Sequence, residues 1–120
     1  MNIKIHTIND TKIVEVTSED IIINKAEDGL DLLGNIYYQG FDKIIIYQKN
    51  ITSDFFELKT GIAGEILQKF STYRVRLAIV GDFSKYKSKS LSDFIYESNK
   101  GRQVNFVDSM TAALTILSLT

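Results

Sequence analysis

Apolar and polar residues alternate at the start of the chain. Ile3, Ile5 and Ile8 stand among polar neighbours, which is the two-residue period of a strand. Asn9-Asp10 predicts a tight turn, because both residue types tolerate left-handed backbone. Lys12 to Val16 then resumes as a second strand, so a hairpin opens the chain. Ile21-Ile22-Ile23 reads either as a short third strand or as the buried entry to the first helix.

The period then lengthens. Asn24 is followed three residues later by Glu27, the spacing of a capping box. Ala26, Leu30, Leu33 and Tyr37 share one helical face, and Gly40 stands where a helix stop is expected. Gly29 and Gly34 weaken this helix. Lys43 to Tyr47 carries the unbroken run Ile44-Ile45-Ile46, as a strand covered on both faces does. Asp54 with Glu57 repeats the capping spacing, and Phe55, Leu58, Ile62, Ile66 and Phe70 follow at intervals of three and four. These predict a helix over 55–70. Arg74 to Val80, with Val75, Leu77, Ala78, Ile79 and Val80, is the candidate central strand. Ser90 with Asp93 marks a third helix start, leading into Leu91, Phe94 and Ile95, and Asn99-Lys100-Gly101 supplies its stop with Gly in left-handed geometry. Val104 to Val107 is a short strand, and Asp108 or Ser109 caps a last helix carrying Ala113, Leu114 and Leu117.

Strands that alternate with helices imply right-handed crossovers and parallel pairing. The expected fold is α/β: a mixed four- to six-stranded sheet, with an N-terminal β-hairpin followed by βα units. At 120 residues the chain has the size of a single domain, and no linker or repeat divides it.

Composition narrows the function classes. There are 14 basic and 15 acidic residues. A chain without a basic surplus is not built to neutralise phosphates, so no nucleic-acid partner is expected. The absence of cysteine removes disulfides, thiol catalysis and thiolate metal sites, and it fits a reducing compartment. No apolar run approaches a membrane span, and Met1 to Ile5 lacks the core of a signal peptide. A cytoplasmic protein with no membrane partner is the expectation.

Three stretches carry a family resemblance. They are Phe55-Phe56-Glu57-Leu58-Lys59-Thr60-Gly61-Ile62-Ala63-Gly64-Glu65-Ile66-Leu67-Gln68-Lys69-Phe70, Tyr73-Arg74-Val75-Arg76-Leu77-Ala78-Ile79-Val80-Gly81-Asp82, and Phe94-Ile95-Tyr96-Glu97-Ser98-Asn99-Lys100-Gly101. Together they resemble a bacterial domain-of-unknown-function family, DUF4180, over nearly the whole chain, and the resemblance implies no chemistry. The element order is also similar to the STAS fold and to SpoIIAA-like proteins, where a strand like Leu77 to Asp82 recurs. In STAS proteins a phosphorylatable serine lies near a helix start. That resemblance marks Ser53 as the residue a phospho-switch would use, in the context Thr52-Ser53-Asp54-Phe55 rather than Asp-Ser-Ser-Gly.

Few residues form a chemical constellation. His6 is the only histidine, and a triad would have to use it. No nucleophile is placed beside it, and it reads as an ordinary strand residue. Gly61 and Gly64, three apart on the expected helix, suit the close approach of a neighbouring backbone better than a phosphate loop, since the lysine of a P-loop is missing. No His or Cys cluster has metal spacing, and no carboxylate pair suggests acid–base work. Neither cofactor nor metal is expected. Lys85, Lys87 and Lys89 around Tyr86 read as a solvated basic loop. Glu97 or Asn99 facing Arg74, Arg76 or Arg102 would make a buried ion-pair network, structural first. Ligands of open α/β sheets bind outside the carboxyl ends of strands, which singles out Gln48, Ser53, Asp54, Asp82 and Ser84 as lining a strand-end site.

Two functions follow as expectations. The first is a non-enzymatic protein-interaction or regulatory module with a protein partner, or with a second copy recruited through the edge of the hairpin. The other is a small-molecule binder or weak enzyme that uses a strand-end cleft near Asp54 and Asp82.

Overall fold

The computed structural model describes residues 1–119. Five strands form one mixed sheet in the order β1-β2-β3-β4-β5. They are β1 (Asn2–Ile8), β2 (Thr11–Thr17), β3 (Lys43–Tyr47), β4 (Arg76–Val80) and β5 (Val104–Val107). β1 and β2 pair antiparallel through a two-residue turn in which Asn9 and Asp10 have φ of 50° and 65°, the left-handed pair that matches strand twist. The other pairs are parallel. The α/β class and the N-terminal hairpin are as expected. Ile23 makes only an isolated bridge to Ile51, which settles the third-strand question in favour of an entry segment.

Helices α1 (Ala26–Tyr38), α2 (Ile62–Thr72) and α3 (Lys89–Lys100) follow β2, β3 and β4. All three pack on one face, over Val14, Val16, Ile44, Ile46, Leu77, Ile79, Val104 and Phe106. The last helix, α4 (Met110–Ser118), crosses to the other face. There Ala113 and Leu117 are fully buried on Ile13, Ile45, Ala78 and Val80. Residues of β3 and β4 alternate between two covered faces, so the apolar runs Ile44–Ile46 and Leu77–Val80 have no polar interruption.

Several local expectations are corrected. The stripe α1 buries is Gly29, Leu32, Leu33 and Ile36, not the one running from Ala26 to Tyr37. Its start is held by Asp28, whose Oδ2 accepts from Asn24 N–H at 2.9 Å and Lys25 N–H at 3.2 Å, and not by Glu27. The 55–70 helix begins only at Ile62. Residues Ser53–Phe56 and Leu58–Thr60 are single 3-10 turns. The Thr60 hydroxyl donates to the carbonyls of Asp54 and Glu57 at 2.7 and 2.9 Å, and Gly61 turns left-handed at φ 81°. Competing local bonds of this kind keep a chain out of the helix. The close approach assigned to Gly61 and Gly64 belongs instead to Gly29. A Cβ on Gly29 would lie 2.6 Å from Ile66 Cδ1, whereas Gly64 has open space around it. Gly101 is extended at φ −101° rather than left-handed.

The edges of the sheet are treated differently. On β5, Asn99 of α3 accepts from Phe106 N–H at 2.8 Å and donates to Phe106 C=O at 3.1 Å, while Ser98 donates to Val104 C=O at 2.5 Å. The side chains of α3 thus stand in for a sixth strand. Asn99 is therefore no partner of the arginines, and Glu97 pairs with Lys100 at 3.2 Å. Among the described residues nothing covers the outer edge of β1 in this way, and Ile3 and Ile5 are 45% and 49% exposed.

Candidate functional site

The candidate residues of the sequence lie at the carboxyl ends of the strands. β4 leads to α3 on one face and β5 leads to α4 on the other. Neighbouring connections that part to opposite faces leave a crevice between them, the basis of ligand sites in open sheets. A cleft of about 630 Å³ lies there, lined by Gly81, Asp82, Phe83, Phe106, Val107, Asp108 and Ala112. The Ser109 hydroxyl caps α4 beside it by accepting from Ala112 N–H at 3.0 Å.

The five candidate residues divide. Asp82 lines the cleft, but its carboxylate is folded back onto Ser84. Oδ1 accepts from the Ser84 hydroxyl at 2.6 Å and from Ser84 N–H at 3.0 Å. Those two bonds hold the carboxyl below its ordinary range, with Lys85 assisting. Gln48 is buried behind the loop, where Oε1 accepts from Asp82 N–H at 3.0 Å and Nε2 donates to Tyr86 Oη at 2.7 Å. Its amide is spent on holding the loop. Ser53 and Asp54 are exposed on their 3-10 turn and do not line the cleft. From that turn it is Phe56 that reaches the loop after β4, packing on Phe83 and stacking on Tyr86 at 5.0 Å. The structure therefore unites Gln48, Asp82 and Ser84, and leaves Ser53 and Asp54 apart. Tyr86 is half-buried with its ring packed against the core, and Lys85 Nζ lies 5.6 Å from its centroid, while Lys89 is bonded to Asp93 at 2.9 Å.

Sequence reasoning missed two constellations. The first surrounds His6. Its Nε2 lies 2.8 Å from Glu15 Oε1, and Tyr47 donates to Glu15 Oε2 at 2.6 Å while also touching Met110. Register explains it: across the hairpin Lys4 stands opposite Glu15 and His6 is its diagonal neighbour, opposite Ile13, while Ile45, two residues before Tyr47, pairs with Glu15 on the other side. Burial pushes the Glu15 carboxyl up. The hydrogen bonds from Tyr47 and His6 and the charges of His6 and Lys4 outweigh it and bring the carboxyl below its ordinary 4.5. Burial and the same carboxylate push the Tyr47 phenol up to about 12. A depressed acid stabilises the fold above its unfolded pKa, and that contribution is lost as pH falls through the folded value. The raised phenol contributes below pH 10 and loses its share as pH climbs toward 12. Glu15→Gln should therefore be less stable than the parent at pH 7, with the gap closing as acid is added from about pH 4.5 downward. Urea melts of both proteins at pH 7, 5 and 3.5 check this, and a gap independent of pH would refute it.

The second constellation is an aromatic groove at the opposite end of the sheet. Helix α1 closes with Gly40 at φ 94°, its N–H on Tyr37 C=O at 2.9 Å and Phe41 N–H on Ile36 C=O at 3.2 Å. Helix α2 closes the same way, with Arg74 in the left-handed position at φ 59° and Val75 N–H on Phe70 C=O at 2.9 Å. This is the Schellman pattern twice, delivering the chain into neighbouring strands β3 and β4. Between the two helix ends lies a groove of about 840 Å³, with Tyr37, Tyr38, Phe41 and Tyr73 along it and Leu30, Leu33 and Gly34 among its other residues. The rings of Tyr37 and Tyr73 are 5.2 Å apart. A cue was present in the sequence: Leu30, Leu33 and Tyr37 form a second apolar stripe on α1, beside the one the core uses.

Among the described residues no group of three or more His, Cys, Asp or Glu is placed to hold a metal ion, and no helix is long and apolar enough to cross a membrane. No curated protein and no solved structure matches the chain. A family model does match, that of a domain of unknown function (DUF4180), over residues 8–117. That span takes in every element from the hairpin turn to α4, so the chain belongs to the DUF4180 family.

Proposed function

We propose that this domain is a non-enzymatic interaction module of a regulatory kind, and that its first partner is a second copy of itself. The observation that carries the reading is the contrast between the two sheet edges, β5 covered by Ser98 and Asn99 and β1 bare with two half-exposed isoleucines. An unpaired strand edge is a template for another strand. In a two-residue hairpin the residues flanking the turn form a hydrogen-bonded pair and the pairs alternate from there. Ile8, Lys4 and their alternates therefore bond to β2, and Ile3, Ile5 and Thr7 turn their backbone groups outward.

Antiparallel pairing about a two-fold axis is self-complementary. Centring it on Ile5 sets Ile5 against Ile5 of the second copy, Ile3 against Thr7, and Lys4 against His6. Centring it on Lys4 would oppose two lysines, which is unfavourable. The likeness in element order to STAS domains supports a regulatory role, the exposure of Ser53 leaves it open to phosphorylation, and the cysteine-free composition supports a cytoplasmic setting.

Because the chain has no cysteine, Ile5→Cys introduces a unique thiol. Mild oxidation should crosslink it into a covalent dimer, since opposed Cα atoms about 5.5 Å apart fall within disulfide range, and Tyr38→Cys on the exposed end of α1 should not crosslink. Light scattering should give the mass of a dimer for the parent and a monomer for Ile5→Lys. A parent that is monomeric at 100 μM or above, or equal crosslinking of both cysteine variants, rules the arrangement out.

A second reading, small-molecule binding or weak catalysis, is favoured by the open cleft at Asp82. Asp108 takes the place in it that the sequence had suggested for Asp54.

A further inference from the structure

The aromatic groove between α1 and α2 is independent of both readings, and we infer that it is a binding site for small planar aromatic acids. Three observations support this. The first is excess apolar surface. Leu33 is buried, yet Tyr37 and Tyr73 are 47% and 48% exposed and Tyr38 is 93% exposed. Phenol rings left half open around a concavity offer a flat apolar wall with polar tips, the composition of small-ligand sites. The volume of about 840 Å³ falls in the range of such sites.

The second observation is the space over Gly34. A Cβ built there meets nothing within 4 Å, so backbone forms part of the groove and a flat ring can lie directly on the helix. A glycine at an exposed helical position costs about 1 kcal/mol relative to alanine, and core packing supplies no reason for it here. The third is charge. The two ionic groups of the lining are Asp42 and Lys69. Asp42 is already paired with Lys43 at 3.1 Å, whereas Lys69 has no ion-pair partner among the described residues. The charge left to satisfy is positive. The rings of Tyr37 and Tyr73 touch each other, so a ligand stacks against the pair rather than between them and turns its anionic group toward Lys69.

The test uses 2-naphthoate and its neutral counterpart 2-naphthylmethanol on the intact chain, followed by amide chemical-shift titration. Naphthoate should shift residues 33–42 and 69–74 with a Kd of about 1 mM, as suits a ligand of its size, and should bind better than the alcohol. Lys69→Gln should weaken naphthoate about three- to fivefold, the worth of a partly exposed ion pair, and leave the alcohol unchanged. Gly34→Leu fills open space and raises helix propensity, so it should fold at least as well as the parent and lose both probes. The inference fails if naphthoate binds elsewhere or not at all, if the acid and the alcohol bind equally, or if Gly34→Leu binds as the parent does. It also fails if Gly34→Leu changes the oligomeric state, which would assign the groove to a second copy.

Discussion

Replacing Gly81 with alanine should destabilise the domain by about 3 kcal/mol, one of the two largest effects expected of a single substitution here. The backbone at Gly81 is of a kind any residue can adopt, so the cost is steric. The new Cβ would stand 2.5 Å from Gln48 Cβ and also against Gln48 Oε1. The amide can swing away, but Cβ is fixed by the backbone of the turn after β3. Moving it breaks the bonds from Gln48 to Asp82 N–H and Tyr86 Oη and disturbs the stack of Tyr86 on Phe56. Gly64→Ala is the control. It lies inside α2 with open space around it and should gain up to about 1 kcal/mol from helix propensity. Opposite signs for one chemical change, read from urea midpoints, would establish contact rather than conformation as the cause. A Gly81→Ala loss under about 1 kcal/mol would show that the turn yields.

Removing the Arg76 side chain should cost about 3 kcal/mol and release α4. The guanidinium donates to Arg102 C=O at 2.7 Å, to Ile116 C=O at 2.9 Å and to Leu119 C=O at 3.1 Å. The last carbonyls of a helix lack internal partners and carry partial negative charge. One planar cation therefore closes the end of α4 and ties it to β4 and to the turn before β5. Arg76→Ala should speed amide hydrogen exchange across α4 more than in α1 or α2. Arg76→Lys keeps the charge but not the fork and should recover less than half of the loss. Uniform acceleration across all helices would mean that Arg76 supports the whole sheet and not this helix.

What was legible in the sequence follows from the range of each force. Lys43–Tyr47 was read to the residue because two-sided burial leaves an unbroken apolar run. The hairpin was legible because Asn9-Asp10 fits a turn that few other pairs do. The core stripe of α1 is ambiguous in the sequence because that helix carries two adjacent apolar stripes, and only packing against the sheet decides which is core. The start of α2 is hidden in the sequence because Thr60 and Gly61 act locally against a pattern that is otherwise helical. Among candidate site residues, Gln48 and Asp82 were found together because strand ends converge by topology. The Glu15 cluster and the grip of Arg76 on α4 join residues 9 to 43 positions apart, and no local pattern announces such pairs.

The unequal edges of the sheet also limit how large an assembly can become. A strand edge open at both ends of a sheet lets subunits add without stopping, as fibres do. Here the amide and hydroxyl of α3 occupy the far margin, so the association proposed through β1 would use up the one margin left open. Growth through the proposed pairing would end after a single step, so an open β1 would carry no hazard of polymerising along it.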